Sequence, residues 1–395
     1  MITTITNARV FDGERVLGET SVVVDGARIA SVGAGAPARG EVVDAAGATL
    51  LPGLFDAHVR TSERGLALAL RFGVTTELEA WGAFTRPNRA HVTADDALAD
   101  VRSAGRAITP ERGRPGEPSP PHARPGGHRG ARPGGAGSVP ELVASGSDYV
   151  TFVIEDGTVE GRPGPPVPDR AVLDRATLEA GVAQAHRRGV LTVAHARTLE
   201  ATRMAVDAGV DGLAHPFLDG PHTPEIVDLI ARSGAFVVPC VVLSAAMAGV
   251  TGAASAAVPR VGRRPGGRGR HPEGDVGDVL ASVRALRAAG VDILAGTGAS
   301  SPAPCAGGPA HGAGLHHELR YLVRAGLAPV EALSAATGVP ARRFGLHDRG
   351  RVAAGLRADL LLVDGDPTAR IRDTLAVRAV WRRGARVALE APEGH

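Results

Sequence analysis

The 395-residue sequence contains no lysine; all 44 of its basic residues are arginine. Any mechanism that needs a lysine amine is therefore excluded. Aromatic residues make up only 3% of the chain. The two cysteines, Cys240 and Cys305, are too few for a disulfide framework. Cys240 stands in an apolar run and reads as a small buried thiol, which fits a reducing cytoplasm. Residues 1–13 lack a basic region followed by an apolar one, so no signal peptide is expected. The longest uncharged stretch, 234–259, exceeds the roughly 20 residues that cross a bilayer. Its β-branched part, Phe236 to Leu243, is interrupted by Pro239, and the rest is mostly alanine, glycine, serine and threonine. A membrane span is not expected there.

What is present describes a soluble globular protein. Hydrophobic residues reach 44%, charged residues 22%, and the net charge is +2, which excludes a fibrous or wholly disordered chain. The 53 glycines and 29 prolines imply many turns. Two segments, 110–140 and 259–274, are dense in Arg, Pro and Gly, with Arg-Pro-Gly-Gly starting at 124, 132 and 264. They lack apolar periodicity and are read as low-complexity loops. A shifted reading frame through a GC-rich gene would leave the same composition. The absence of aromatics for base stacking argues against nucleic-acid binding.

The first fifty residues read as short strands, Ile2–Val10, 21–32 broken at Asp25-Gly26, and Glu41–Leu50. After Pro52-Gly53, apolar strands alternate with helical spacing, the pattern of βαβ units. Strands are predicted near 54–59, 74–79, 106–109, 149–154, 190–194, 211–215, 236–242 and 292–296. The clearest helix runs from Leu199 to Ala208, stopped by Gly209. Eight strands predict a (β/α)₈ TIM barrel over 54–349. Strands near 357–364 and 378–387 are expected to join the amino-terminal ones. A small composite β-sandwich domain would thus be built from 1–53 and 350–395.

His58, His195 and His215 each fall at the carboxyl end of a predicted barrel strand, where barrel enzymes place their active sites. Three neutral imidazoles converging there would hold one zinc ion and leave a position for an activated water. A lone histidine of this kind is more often a hydrogen-bonded core residue; three at equivalent places favour a site. Glu77 and Glu79 share a strand face, and they read either as a replacement carboxylate or as a solvated or salt-bridged rim pair. His186, His222 and Asp219 read as loop and helix-surface residues.

Several motifs together resemble the amidohydrolase superfamily, in its imidazolonepropionase-like and prolidase-like branch. They are Leu51-Pro52-Gly53-Leu54-Phe55-Asp56-Ala57-His58, Phe72-Gly73-Val74-Thr75-Thr76, Ala194-His195-Ala196 and Ala214-His215-Pro216. Two closing segments continue the match, Ala335-Ala336-Thr337 with Pro340-Ala341, and Gly350 to Leu360. The resemblance implies a metal-dependent hydrolase of amide or other C–N bonds, acting on small molecules such as dipeptides or cyclic amides. It implies a divalent cation held by His58, His195 and His215, with His311, His316 and His317 near the site, touching substrate or supporting the ligands; ordinary helix-surface residues are the equal alternative for these three. Three positions depart from the family pattern. Arg60 replaces the second histidine of the first strand, and its guanidinium would point at the metal. Thr151 stands where a carboxylated lysine bridges two metals, so one ion at most is expected. Gly298 stands where an aspartate would bind the metal and accept a proton; nearby Asp292 starts its strand and is a poor substitute. The alternative is a catalytically impaired or silent protein on the same fold. A homo-oligomer is compatible with the sequence.

Overall fold

The computed structural model describes residues 1–33, 38–109, 138–154, 173–215, 220–247, 276–301 and 308–389. Asp219, Cys305 and nearly all of the two Arg/Pro/Gly-rich segments lie outside them. Both chain ends build one eight-stranded mixed sheet. Its strands are β1 (Ile2–Phe11), β2 (Val16–Asp25), β3 (Arg28–Val32), β4 (Glu41–Asp44) and β5 (Thr49–Pro52). The barrel strands are β6 (Leu54–Arg60), β7 (Val74–Glu79), β8 (Asp100–Ser103), β9 (Val150–Val153), β10 (Thr192–His195), β11 (Gly212–Ala214), β12 (Phe236–Val238) and β13 (Ala299–Ser300). The carboxyl end returns β14 (Leu360–Val363), β15 (Val377–Arg382) and β16 (Ala385–Arg386) to the first sheet. There β14 runs antiparallel to β5, with Thr49 opposite Val363 and Leu51 opposite Leu361. Leu50, Leu360, Leu362 and Trp381 bury their side chains in the core of this sheet, and burial of each large apolar side chain is worth about 1.5–3 kcal/mol.

The barrel strands form two parallel arcs, β13-β6-β7-β8 and β9-β10-β11-β12. Single parallel bridges, Ile108 to Phe152 and Val237 to Ile293, link further segments to the second arc, and Ala57 N–H donates to the Ala295 carbonyl beside β6. The expected barrel with its β-domain is what the molecule adopts, although among the described residues no continuous ladder closes the ring. Helices cover the arcs. In Leu199–Asp207, Thr198 accepts a hydrogen bond from Ala201 N–H at the amino end. Gly209, at φ +80°, turns the chain out of the helix in a conformation that suits glycine. Among the described residues no helix is long and apolar enough to cross a membrane.

Three strand expectations need correction. The third barrel strand is Asp100–Ser103 rather than 106–109; Asp100 is tolerated inside it because Arg349 and Arg357 reach its buried carboxylate. The run predicted at 236–242 stops at Val238. Pro239 has no N–H to offer a ladder, Cys240 takes φ +48°, and the chain enters the helix Val241–Met247. The eighth strand, predicted at 292–296, keeps one bridge at Ile293, and the two-residue β13 follows the left-handed turn at Gly298 (φ +69°).

Candidate metal centre

His58 lies in β6, His195 is the last residue of β10, and His215 directly follows β11. Their side chains offer three ring nitrogens that all lie within 4.8 Å of one another. Ring centroids are 4.5 Å apart for His195 and His215, 4.9 Å for His58 and His215, and 6.1 Å for His58 and His195. All three side chains are buried. His215 adopts φ +68°, and its N–H donates to the Val238 carbonyl at 2.7 Å. Holding a non-glycine residue in that region costs on the order of 1–3 kcal/mol, a strain that the surrounding strands must over-determine.

Burial, helped by a nearby cation, keeps two of these rings unprotonated. Burial, assisted by the guanidinium of Arg197, pushes His58 down to about 3. The same two causes, with His58 itself, hold His215 well below its ordinary value. Neutral imidazole is the form that ligates a cation. Trp81 stands beside the cluster, its ring centroid 5.8 Å from His58 and 5.4 Å from His195. The Arg60 guanidinium lies over the Trp81 ring, 5.9 Å from its centroid, so the aromatic face takes part of the charge that the sequence aimed at the metal.

The remaining candidates are placed elsewhere. Thr151 is buried in β9 with its hydroxyl oxygen unpartnered. Glu77 and Glu79 are both buried, which corrects the solvated half of the rim reading, while Glu77 is ion-paired with His311. Glu77 accepts a hydrogen bond from His311 Nδ1 at 2.8 Å. Glu79 accepts from Ser103 Oγ at 2.5 Å and Phe84 N–H at 3.0 Å, and burial raises it to about 7. His316 is fully buried, its Nε2 donates to the Phe72 carbonyl at 2.9 Å, and burial lowers it to about 4. His186 pairs with Asp211 at 3.0 Å on the surface, and Asp292 pairs with Arg342 and Arg343. Neither belongs to the cluster.

Sequence reasoning passed over three neighbours of the site. Arg197 follows His195 by two positions, the same offset that drew attention to Arg60. Asp56 precedes His58 by two. Its carboxylate accepts from Thr297 N–H at 2.9 Å and Thr297 Oγ1 at 2.6 Å, which ties β6 to the eighth-strand segment. Burial and the charge of Glu77 raise Asp56 to about 7. Nothing in the local sequence marks Trp81, which comes to the cluster only through the barrel's curvature.

Parallel arcs carrying three buried imidazoles at their carboxyl ends define an α/β-barrel protein with a histidine centre. Residues 153–387 match the Amidohydrolase family, and the chain belongs to it. Over 65 residues it is 46% identical to an imidazolonepropionase of Deinococcus deserti, covering 16% of each chain. Over 52 residues it is 46% identical to an adenine deaminase of Methanothrix thermoacetophila, covering 13% of this chain and 9% of that one. The chain thus aligns with only a small part of these relatives' length. Among solved structures, a Xaa-Pro dipeptidase with bound methionine superposes with a TM-score of 0.76 at 21% identity, covering 98% of this chain and 99% of that one. Ochratoxinase of A. niger superposes with a TM-score of 0.75 at 20% identity, covering 98% and 95%. At such identities the likeness concerns the fold.

Proposed function

We propose that the protein is a metal-dependent hydrolase of amide or other C–N bonds in small molecules, with one zinc ion held by His58, His195 and His215. The observation that carries this reading is the convergence of three buried imidazoles within 4.8 Å, of which His58 and His215 are held unprotonated. The donor set fits a single borderline cation: nitrogen ligands of this number suit zinc and leave a position free for water or substrate. A bound ion would polarise the substrate carbonyl and lower the pKa of a water ligand towards about 7.

The chain's own residues do the rest. Burial, with Arg197, keeps His58 and His215 free of protons, so their ligand nitrogens are available across the neutral range. Trp81 walls the cluster with an apolar face, and the Arg60 guanidinium lies over that ring. The sequence-derived candidates His311 and His316 are buried outside the cluster, His311 held by Glu77 and His316 by the Phe72 carbonyl. The domain division at 53/54 and 349/350, and a cytoplasmic home suggested by two cysteines, belong to the same reading.

A specific observation favours a second reading. Gly298 offers no side chain, and none of the described carboxylates joins the three imidazoles. On this view the centre is catalytically impaired. Metal analysis of the purified protein, with assays on dipeptides, lactams and hydantoin-like cyclic amides, separates the two. Near-stoichiometric zinc, lost in His58→Ala and His215→Ala, together with turnover supports the hydrolase. Zinc without turnover supports the impaired centre, and no zinc at all rejects the metal assignment.

A further inference from the structure

On the flank of the histidine cluster formed by the eighth-strand segment, Gly298 N–H donates to the His58 carbonyl at 2.8 Å. A Cβ added at Gly298 would stand 2.6 Å from Cδ2 of Leu243 and 3.3 Å from its Cβ. Leu243 therefore already occupies the volume that any side chain at 298 would need. It is held there firmly. Glu318, fully buried, accepts hydrogen bonds from Val241 N–H at 3.0 Å and Val242 N–H at 2.7 Å, fixing the first turn of the helix that carries Leu243. Leu243 also packs in one apolar cluster with Ala57, Ala214, Val238 and Leu294, the first two being chain neighbours of His58 and His215.

We propose that Leu243 determines the chemistry of the centre: its side chain fills the space beside Gly298 and closes that flank with carbon, so that no oxygen ligand enters from the eighth strand. The inference rests on the three imidazoles being a metal centre. Its consequence is selectivity, because imidazole donors suit zinc whereas hard carboxylate oxygens suit manganese and magnesium. A centre walled in this way holds zinc and discriminates against manganese. Leu243 is thus a specificity-determining residue for the ion.

Aspartate is nearly isosteric with leucine, so Leu243→Asp delivers a carboxylate to this flank without disturbing the left-handed backbone of Gly298. Leu243→Asn is the neutral control. The dissociation constants of metal-free protein for Zn²⁺ and Mn²⁺, read by competition with a chromophoric chelator, test the proposal. Leu243→Asp is expected to tighten Mn²⁺ binding about tenfold or more, with Leu243→Asn close to the parent, a change of the size that groups around a metal commonly exert. Equal effects of Asp and Asn, or no effect in folded protein, overturn it. Should Leu243→Asp fail to fold, Leu243→Ala with added formate replaces it: formate should tighten Mn²⁺ binding in this variant and not in the parent, and indifference in both overturns the proposal. A parent protein that binds neither ion refutes the metal centre itself. A parent that binds zinc while its variants do not differ refutes only the role of Leu243.

Discussion

His311 donates a hydrogen bond from Nδ1 to Glu77 Oε1 at 2.8 Å, and both side chains are buried, 234 positions apart in sequence. The pair joins the loop before the helix Ala313–Arg324 to β7. Burial works against the His311 proton, but the charge of Glu77 and this hydrogen bond outweigh it and raise the imidazole above its ordinary 6.5. The folded protein then binds that proton more tightly than the unfolded chain. The resulting stabilisation is complete below about pH 6.5 and fades as pH rises through the folded-state value. His311→Asn should accordingly lower the melting temperature more at about pH 6 than at about pH 9. A deficit that stays constant or grows with pH would argue against the charged pair.

Restoring a carboxylate at position 298 alone should do harm. Gly298 adopts φ +69°, and its Cβ would press on Leu243. Overpacking of this kind costs about 1–3 kcal/mol. Chemical denaturation of Gly298→Asp should show a loss of that size, part of which Leu243→Ala recovers in the double variant. Strictly additive effects would mean that the two positions do not compete for the same space.

Asp100 in β8 should prove indispensable. Burial opposes its charge, yet Arg102, Arg349 and Arg357 hold its carboxyl well below the usual range. Asp100→Asn leaves these buried guanidinium groups without their shared partner, a change expected to cost about 3–5 kcal/mol by equilibrium unfolding. Because the folded value is depressed, the stability due to this group is present above about pH 3.8 and disappears as pH falls further. A loss under about 1 kcal/mol would show that the pairing is dispensable.

Removing the ion should be visible in stability as well as in chemistry. Zinc at about a thousandfold excess over its dissociation constant adds about 4 kcal/mol to the folded state. A chelator should lower the melting temperature, zinc should restore it, and His195→Ala should respond to neither. An identical melting curve with and without chelator in the zinc-loaded parent would contradict binding at the three histidines.

Much of this architecture was legible in the residues. The strand-end histidines and the return of β14 to β5 follow from apolar runs bounded by glycine and proline, because such runs report burial directly. The failures share a cause: tertiary partners overrode local pattern. Asp100 stands outside every strand read from the sequence, because the arginines that steady it in β8, Arg349 and Arg357, come from more than 240 positions away. The helix at Val241 begins in a β-branched run because Glu318, 76 and 77 positions later, caps its first N–H groups. The burial of Glu77 and Glu79 was not legible because their partners, His311 and Ser103, lie elsewhere in the chain. Arg197 carried the same offset signal as Arg60, whereas the meeting of Leu243 with Gly298 needed the fold.

The sheet shared by the two chain ends sets an order of events during synthesis. Thr49 Oγ1 donates to the carbonyl of Gly365, 316 positions downstream. At about 5–20 residues per second, β5 leaves the ribosome roughly 15–60 s before β14 exists to cover it. During that interval Thr49–Pro52 is an apolar edge awaiting its neighbour. The nascent chain is thus open to capture by chaperones, or to mispairing with another nascent copy, along β5, and the arrival of β14 ends this exposure.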